Sequence, residues 1–227
     1  MELPFAPSLR ALIRPGAAFA CPPPDLGKAV MDMAQVWIPL ALVNAVWTAA
    51  RGLRAYEVLR SGTLPRGLPG WFGVDSGDVQ ELVSRLPAPP ALGRIWPWLV
   101  LLVPLGVLGT WLHHAVWDHT GLWLLGGLRA NRGFRTSLLA EAQALRIAAV
   151  GTLIGLLGFL PVLGVWLALP LLLLDAYLWL FRGFALAARH GCELWQGVAA
   201  TVVHAVLLGC CAVGLLSLMV FMVRTAT

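Results

Sequence analysis

Long apolar runs separated by short polar stretches dominate this chain. Runs at about Ala29–Ala50, Ile95–Val116, Ala140–Leu160, Val162–Phe184 and Trp195–Val223 are each long enough, at about 1.5 Å per residue, to cross a hydrocarbon layer of about 30 Å. The pattern predicts an all-α fold, a polytopic membrane helix bundle with five transmembrane helices. Pro97 falls in the first turn of the second run, where proline is tolerated, while Pro104 and Pro170 fall inside spans and predict kinks. The fifth run exceeds what a bilayer needs, which predicts tilt.

The polar stretches set the rest of the organisation. Residues 1–28 mix Phe5, Leu9, Leu12, Ile13 and Phe19 with Arg10 and Arg14, ending at Pro22–Pro24. They predict an interfacial lead-in lying on the membrane. A five-span domain over 29–223 follows, with a polar loop at 51–94 and a C-terminal tail at 224–227. Inside that loop Val79, Leu82, Val83 and Leu86 recur at helical spacing after Asp75 and Asp78. They predict a short interfacial amphipathic helix over Val79–Leu86.

Composition sharpens the class. Hydrophobic residues make up 59% of the 227 residues and charged residues only 12%, against about 25% charged in soluble domains. A water-soluble core of this size cannot hide that much apolar surface, so the lipid bilayer is the expected solvent. The net charge of +5 comes almost wholly from arginine, with Lys28 the only lysine. No dense basic run exists, so the charge reads as loop decoration and nucleic acid is not an expected partner. Cys21, Cys192, Cys210 and Cys211 show no metal-ligand spacing. No cofactor is expected.

The best chemistry lies in His113–Arg146. His113, His114, Asp118 and His119 cluster where the second run gives out, and His114 and Asp118 share a helical face. Imidazole and carboxylate on one face suit Zn²⁺ or Fe²⁺, with Glu141 or His190 as a further ligand. The alternative is anchoring and hydrogen bonding at an interface. Gly126-Gly127 and Gly133 do not match a phosphate-binding spacing. A tight basic turn is expected there, with Arg129, Arg132 and Arg135 against lipid headgroups or a partner. Deeper in the chain, Arg146 and Asp175 lie at matching distances from the turn at Pro161–Leu163, each roughly 20 Å away. They predict an intramembrane ion pair, either a clasp or part of an ion path.

The order of several short motifs resembles the bacterial Yip-domain membrane proteins of the Ypt/Rab-interacting superfamily. RALIRPGAAF resembles the family's N-terminal lead-in, and His119–Gly127 followed by Gly133-Phe134-Arg135-Thr136 its connector. Leu160–Gly164 with Trp166 resembles its hairpin, and Gly183 with Arg189-His190-Gly191 its last loop. The resemblance implies a five-span integral membrane protein with a cytoplasmic N-terminus. Eukaryotic relatives bind Rab-type GTPases through an acidic, tyrosine-containing motif. WDHTGLW stands in that region here, so a Rab-type GTPase is not an expected partner. Arginine-rich, lysine-poor usage points to a bacterial inner (cytoplasmic) membrane. The first expectation is therefore a non-enzymatic accessory or scaffold subunit that packs against other membrane proteins or itself. A transporter or channel component with Arg146 and Asp175 lining a path is the second, and a metal-dependent membrane enzyme built on the histidine cluster the third.

Overall fold

A computed structural model describes residues 6–20, 24–61, 85, 87–159 and 163–226. Short helices α1 (Ala6–Ile13) and α2 (Pro15–Ala18) precede the long helices α3 (Leu26–Arg60), α4 (Leu92–Leu124), α5 (Phe134–Gly155), α6 (Leu163–His190) and α7 (Leu194–Ala226). A 3₁₀ turn, Leu156–Phe159, continues α5. No strand occurs among the described residues, and five helices are long and apolar enough to cross a membrane. The chain is an all-α bundle with multi-pass character, as its apolar runs predict.

The helices overrun the apolar runs at almost every end. The second span does not stop at Val116; α4 continues to Leu124 and carries the histidine cluster inside the helix. The third begins at Phe134 rather than Ala140, and α6 runs on through Arg182 to His190. The polar loop expected from residue 51 begins only after α3 ends at Arg60. The predicted helix over Val79–Leu86 lies outside the described residues. Polar residues continue these helices because their side chains pair across helices, a gain that local hydropathy does not register.

The chain divides into two compact units, Met1–Trp37 with Val107–Thr227, and Ile38–Gly106. In the second unit the Tyr56 hydroxyl donates to the Pro87 carbonyl at 2.7 Å. Val43, Trp47, Trp96, Trp98, Leu101 and Leu105 are exposed there, the surface expected of spans solvated by lipid.

The first unit holds the core. α5 and α6 form an antiparallel hairpin, and α7 returns alongside α6. Small residues set the closeness of that packing. A Cβ on Gly183 would lie 2.6 Å from the Val198 Cα, and one on Gly197 would lie 2.2 Å from the Gly183 carbonyl oxygen. On α4, a Cβ on Gly121 would lie 2.8 Å from the Ala200 carbonyl oxygen. Glycine at these crossings lets backbones touch, the small-residue packing typical of membrane helices. Gly151 sits against Leu178, whereas Gly209 and Gly214 meet nothing within 4 Å.

The C-terminal ends of α4 and α6 both stop on a left-handed glycine. Gly126 and Gly191 have φ of 66°. The Gly127 N–H returns to the Leu122 carbonyl at 2.8 Å, and the Cys192 N–H to the Ala187 carbonyl at 3.2 Å. These are the six-to-one bonds of a Schellman cap. The paired glycines of the connector are therefore a helix stop.

The N-terminal segment packs into this unit. Leu12 and Phe19 are buried in the core cluster with Leu122, Ala140 and Phe181. The Tyr177 hydroxyl donates to the Leu12 carbonyl, and the Phe19 and Phe181 rings lie 5.6 Å apart. The lead-in expected to rest on the membrane surface is instead docked on α5 and α6.

Candidate functional site

The Gly183–Gly197 and Gly121–Ala200 approaches bring α4, α6 and α7 together inside the first unit, with α5 packed against α6. Asp118 from α4, Glu141 from α5, Arg182 from α6 and His204 from α7 meet there, each almost wholly buried. Measured along the helices, they lie roughly 9–15 Å from the helix ends beside the connector. Trp123 and Trp195 are exposed at that end and Trp166 at the other, the positions of two aromatic belts. The cluster therefore sits at hydrocarbon depth, where ionisable side chains are costly and mark functional positions.

The geometry is an incompletely bonded ionic cluster. Arg182 Nη2 lies 3.6 Å from Asp118 Oδ2, and Nη1 lies 4.0 Å from Glu141 Oε2. Charge-assisted hydrogen bonds of this kind close to about 2.7–2.9 Å. Arg182 spends its Nε–H on the Trp179 carbonyl at 3.2 Å, and its guanidinium lies 4.1 Å over the Trp179 ring. Six buried atoms have no hydrogen-bond partner within the protein: both Glu141 oxygens, Asp118 Oδ2, both terminal nitrogens of Arg182 and His114 Nδ1. Native interiors leave few such atoms, because each costs about 1–3 kcal/mol.

One arm of the cluster is well bonded. His204 Nδ1 lies 2.7 Å from Asp118 Oδ1, and its Nε2 lies 3.3 Å from His113 Nε2. A carboxylate only accepts, so His204 donates through Nδ1 and receives at Nε2 from His113. Trp117 stacks on His204 at 14° and 6.1 Å, and the Trp179 ring lies 5.0 Å from His204 while donating its indole N–H to the Thr201 carbonyl at 2.8 Å.

A second polar group lies nearer the connector. Ser137 Oγ sits between His119 Nδ1 at 2.9 Å and His190 Nε2 at 2.8 Å. His190 Nδ1 faces the Asn131 carbonyl at 2.5 Å, so that nitrogen carries the hydrogen. The order of donors is then fixed for neutral rings: His119 to Ser137, Ser137 to His190, His190 to the connector backbone. Asn131 Nδ2 adds a bond to the Arg189 carbonyl at 2.9 Å. Ser137 Oγ and both ring nitrogens of His190 are used along this chain of contacts.

The residues expected to bind metal therefore divide. His113, His114 and Asp118 join the deep cluster, while His119 turns away to Ser137. Among the described residues no group of three or more His, Cys, Asp or Glu is arranged to hold a metal ion. Helical rotation separates neighbours: Asp118 and His119 differ by about 100° around α4.

The expected Arg146–Asp175 pair is replaced by another. Arg146 Nη1 pairs with Asp32 Oδ2 on α3 at 3.1 Å, and Asp175 is exposed on α6. Neither depth nor azimuth matches: Gly151 abuts Leu178 and Gly158 abuts Leu171, a register that sets Arg146 roughly 12 Å along the hairpin from Asp175. Gly151 faces α6 through Leu178, and Arg146, five residues earlier, points about 140° away around α5. Asp32 and Arg146 instead line a cavity of about 320 Å³ with Ala11, Ala18, Phe19 and Gln143. The connector arginines, expected to face lipid headgroups or a partner, make contacts within the chain. Arg129 pairs with Glu193 at 3.3 Å, Arg135 with Asp25 at 3.1 Å, and Arg132 bonds the Arg129 carbonyl at 3.4 Å. Between α6 and α7, partial burial pushes the Cys192 thiol above its ordinary pKa.

Comparison with family models, curated proteins and solved structures returns no match to this chain. The residues themselves carry the functional argument. His204 and Arg182 were the hardest to anticipate, since each stands alone among apolar neighbours or looks like loop charge. The available signal was their position: an ionisable side chain within a bilayer-length run.

Proposed function

We propose that this protein is a proton-exchanging component of a membrane transport system, with Asp118, Glu141, Arg182 and His204 as its intramembrane site. The carrying observation is one guanidinium facing two carboxylates, all almost wholly buried, with five of their polar atoms lacking a hydrogen bond. One carboxylate balances Arg182. A proton is the smallest partner that neutralises the other, and its gain or loss changes the net charge of a site that water does not screen. This replaces the path first expected through Arg146 and Asp175 with one built on other residues, and it makes the role non-enzymatic. Proteoliposomes loaded with a pH-sensitive dye test it: an imposed proton gradient drives uptake in the wild type, and Asp118→Asn or Glu141→Gln removes it. Equal uptake by wild type and both variants contradicts the reading.

A bacterial inner membrane, with N-terminus and connector both cytoplasmic, fits the charge distribution. Asp25, just before α3, pairs with Arg135 just after the connector, so the two segments share an end. That end also carries Arg129, Arg132 and Arg189, as the positive-inside rule favours. The Yip-family resemblance agrees with this topology and stands as part of the proposal. A scaffold or accessory role is the second reading. It is favoured by the open face of α7, where Gly209 and Gly214 meet nothing and Val213, Leu216 and Phe221 are exposed, a surface suited to another membrane helix.

A further inference from the structure

The chain of contacts His119–Ser137–His190 lies at the connector end, between the aqueous boundary and the buried cluster. Ser137 and His190 are wholly buried and His119 is partly open. Ser137 and Glu141 are four residues apart on α5, both buried, so they share a face with Cβ atoms about 5–6 Å apart. On α4, His119 follows Asp118 directly, and on α6 His190 lies eight residues beyond Arg182. The outer group thus lies on the connector side of the inner one on α4, α5 and α6, by one residue, about one turn and about two turns respectively.

We infer that His119, Ser137 and His190 form the proton portal by which the connector end exchanges protons with the Asp118–Glu141–Arg182–His204 site. This rests on the proton-exchange reading above. A hydroxyl between two imidazoles both accepts and donates, so it passes a proton without acquiring lasting charge. The step balances simply. A proton arriving at His119 moves from its Nδ1 to Ser137 Oγ as the Ser137 proton moves to His190 Nε2. The opposite shift, through Ser137 to a Glu141 carboxylate turned one rotamer toward it, delivers the proton to the site. No oxidant or co-reactant is needed. The charged and titratable groups facing this route are Asp118 and His119 from α4, Glu141 from α5, Arg182, Arg189 and His190 from α6, and His204 from α7. His119 is partly open at the connector end and so can load, while Ser137 and His190 beyond it are buried.

The test separates rate from capacity. In proteoliposomes, Ser137→Ala slows proton uptake roughly 100-fold, the low end of what a positioned proton carrier contributes. The number of protons bound at equilibrium, read by infrared titration of the carboxyl bands, stays at the wild-type value. A purely structural role for Ser137 changes the equilibrium titration along with the rate, and that result overturns the portal. Ser137→Ala deletes one oxygen and adds no bulk; His119→Asn, which keeps a donor near Ser137 but cannot carry a proton, gives the same slowing if the portal is correct. Wild-type uptake rates in both variants overturn the portal, and if Asp118→Asn still abolishes uptake the site reading survives alone. Absence of uptake in the wild type overturns both.

Discussion

Two polar groups adjoin in the first unit, and they are built on opposite terms. The outer one, His119–Ser137–His190 with the Asn131 backbone, is joined by contacts of 2.5–2.9 Å. The inner one, Asp118–Glu141–Arg182, holds its charges at 3.6 and 4.0 Å and leaves five atoms without a hydrogen-bond partner. A satisfied buried network fixes geometry and hardly responds to a change of state. An unsatisfied one stores a preference for something more, and in a membrane that preference is strong because no water competes. The outer group can therefore hold the connector to α6 while relaying protons. The inner group is where a change in charge has consequences.

Removing the guanidinium breaks the inner group most severely. Arg182→Met leaves two buried carboxylates facing each other, and the expected loss is about 3–5 kcal/mol of stability, measured by denaturation in detergent. An unchanged melting curve would mean that the two carboxylates do not depend on Arg182. The next effect falls on the packing that assembles the site. Gly183→Ala forces a Cβ to within 2.6 Å of the Val198 backbone, with an expected cost of about 1–3 kcal/mol. Gly209→Ala, where nothing lies within 4 Å, should stay within about 0.5 kcal/mol of wild type. Equal effects at the two glycines would contradict the α6–α7 crossing.

How far the sequence foretold this can be judged residue by residue. The span count was legible because apolar length alone decides it, and the basic connector followed from its arginines. The site was only half legible. His113, His114 and Asp118 drew notice because they are adjacent, but Arg182 and His204 are 64 and 86 residues beyond Asp118. Their meeting depends on Gly121, Gly183 and Gly197 bringing three helices into backbone contact, and no local pattern announces which glycines are crossings. Gly209 and Gly214 looked equally suited and meet nothing. The Arg146–Asp175 expectation failed for a related reason: counting residues from the turn fixes neither the register of two packed helices nor which way a helix face points, and only packing sets both.

Smaller effects sharpen the contrast between buried and surface charge. Arg146→Gln removes a partly exposed pair with Asp32, which should cost no more than about 1 kcal/mol and less in high salt. Asp175→Asn should leave stability at wild type, whereas a marked loss would restore the Arg146–Asp175 clasp. The smallest effect is at Cys192. Burial disfavours the charged thiolate and raises the pKa, so the reactive form is scarce below the ordinary cysteine range and gains only as pH climbs past it. Maleimide labelling of a variant retaining Cys192 as its sole cysteine should be slow at neutral pH and accelerate at higher pH than for a free thiol. Fast labelling at neutral pH would show that the thiol is not held down by its surroundings.

The central claim is that the inner group holds an exchangeable proton between its two carboxylates. Infrared spectroscopy of the reconstituted protein tests this directly through the carbonyl stretch of a protonated carboxyl group. The predicted result is a band at neutral pH that shifts on exchange into D₂O and disappears in Glu141→Gln combined with Asp118→Asn. Absence of the band in the wild type, or its persistence unchanged in that double variant, would contradict the account.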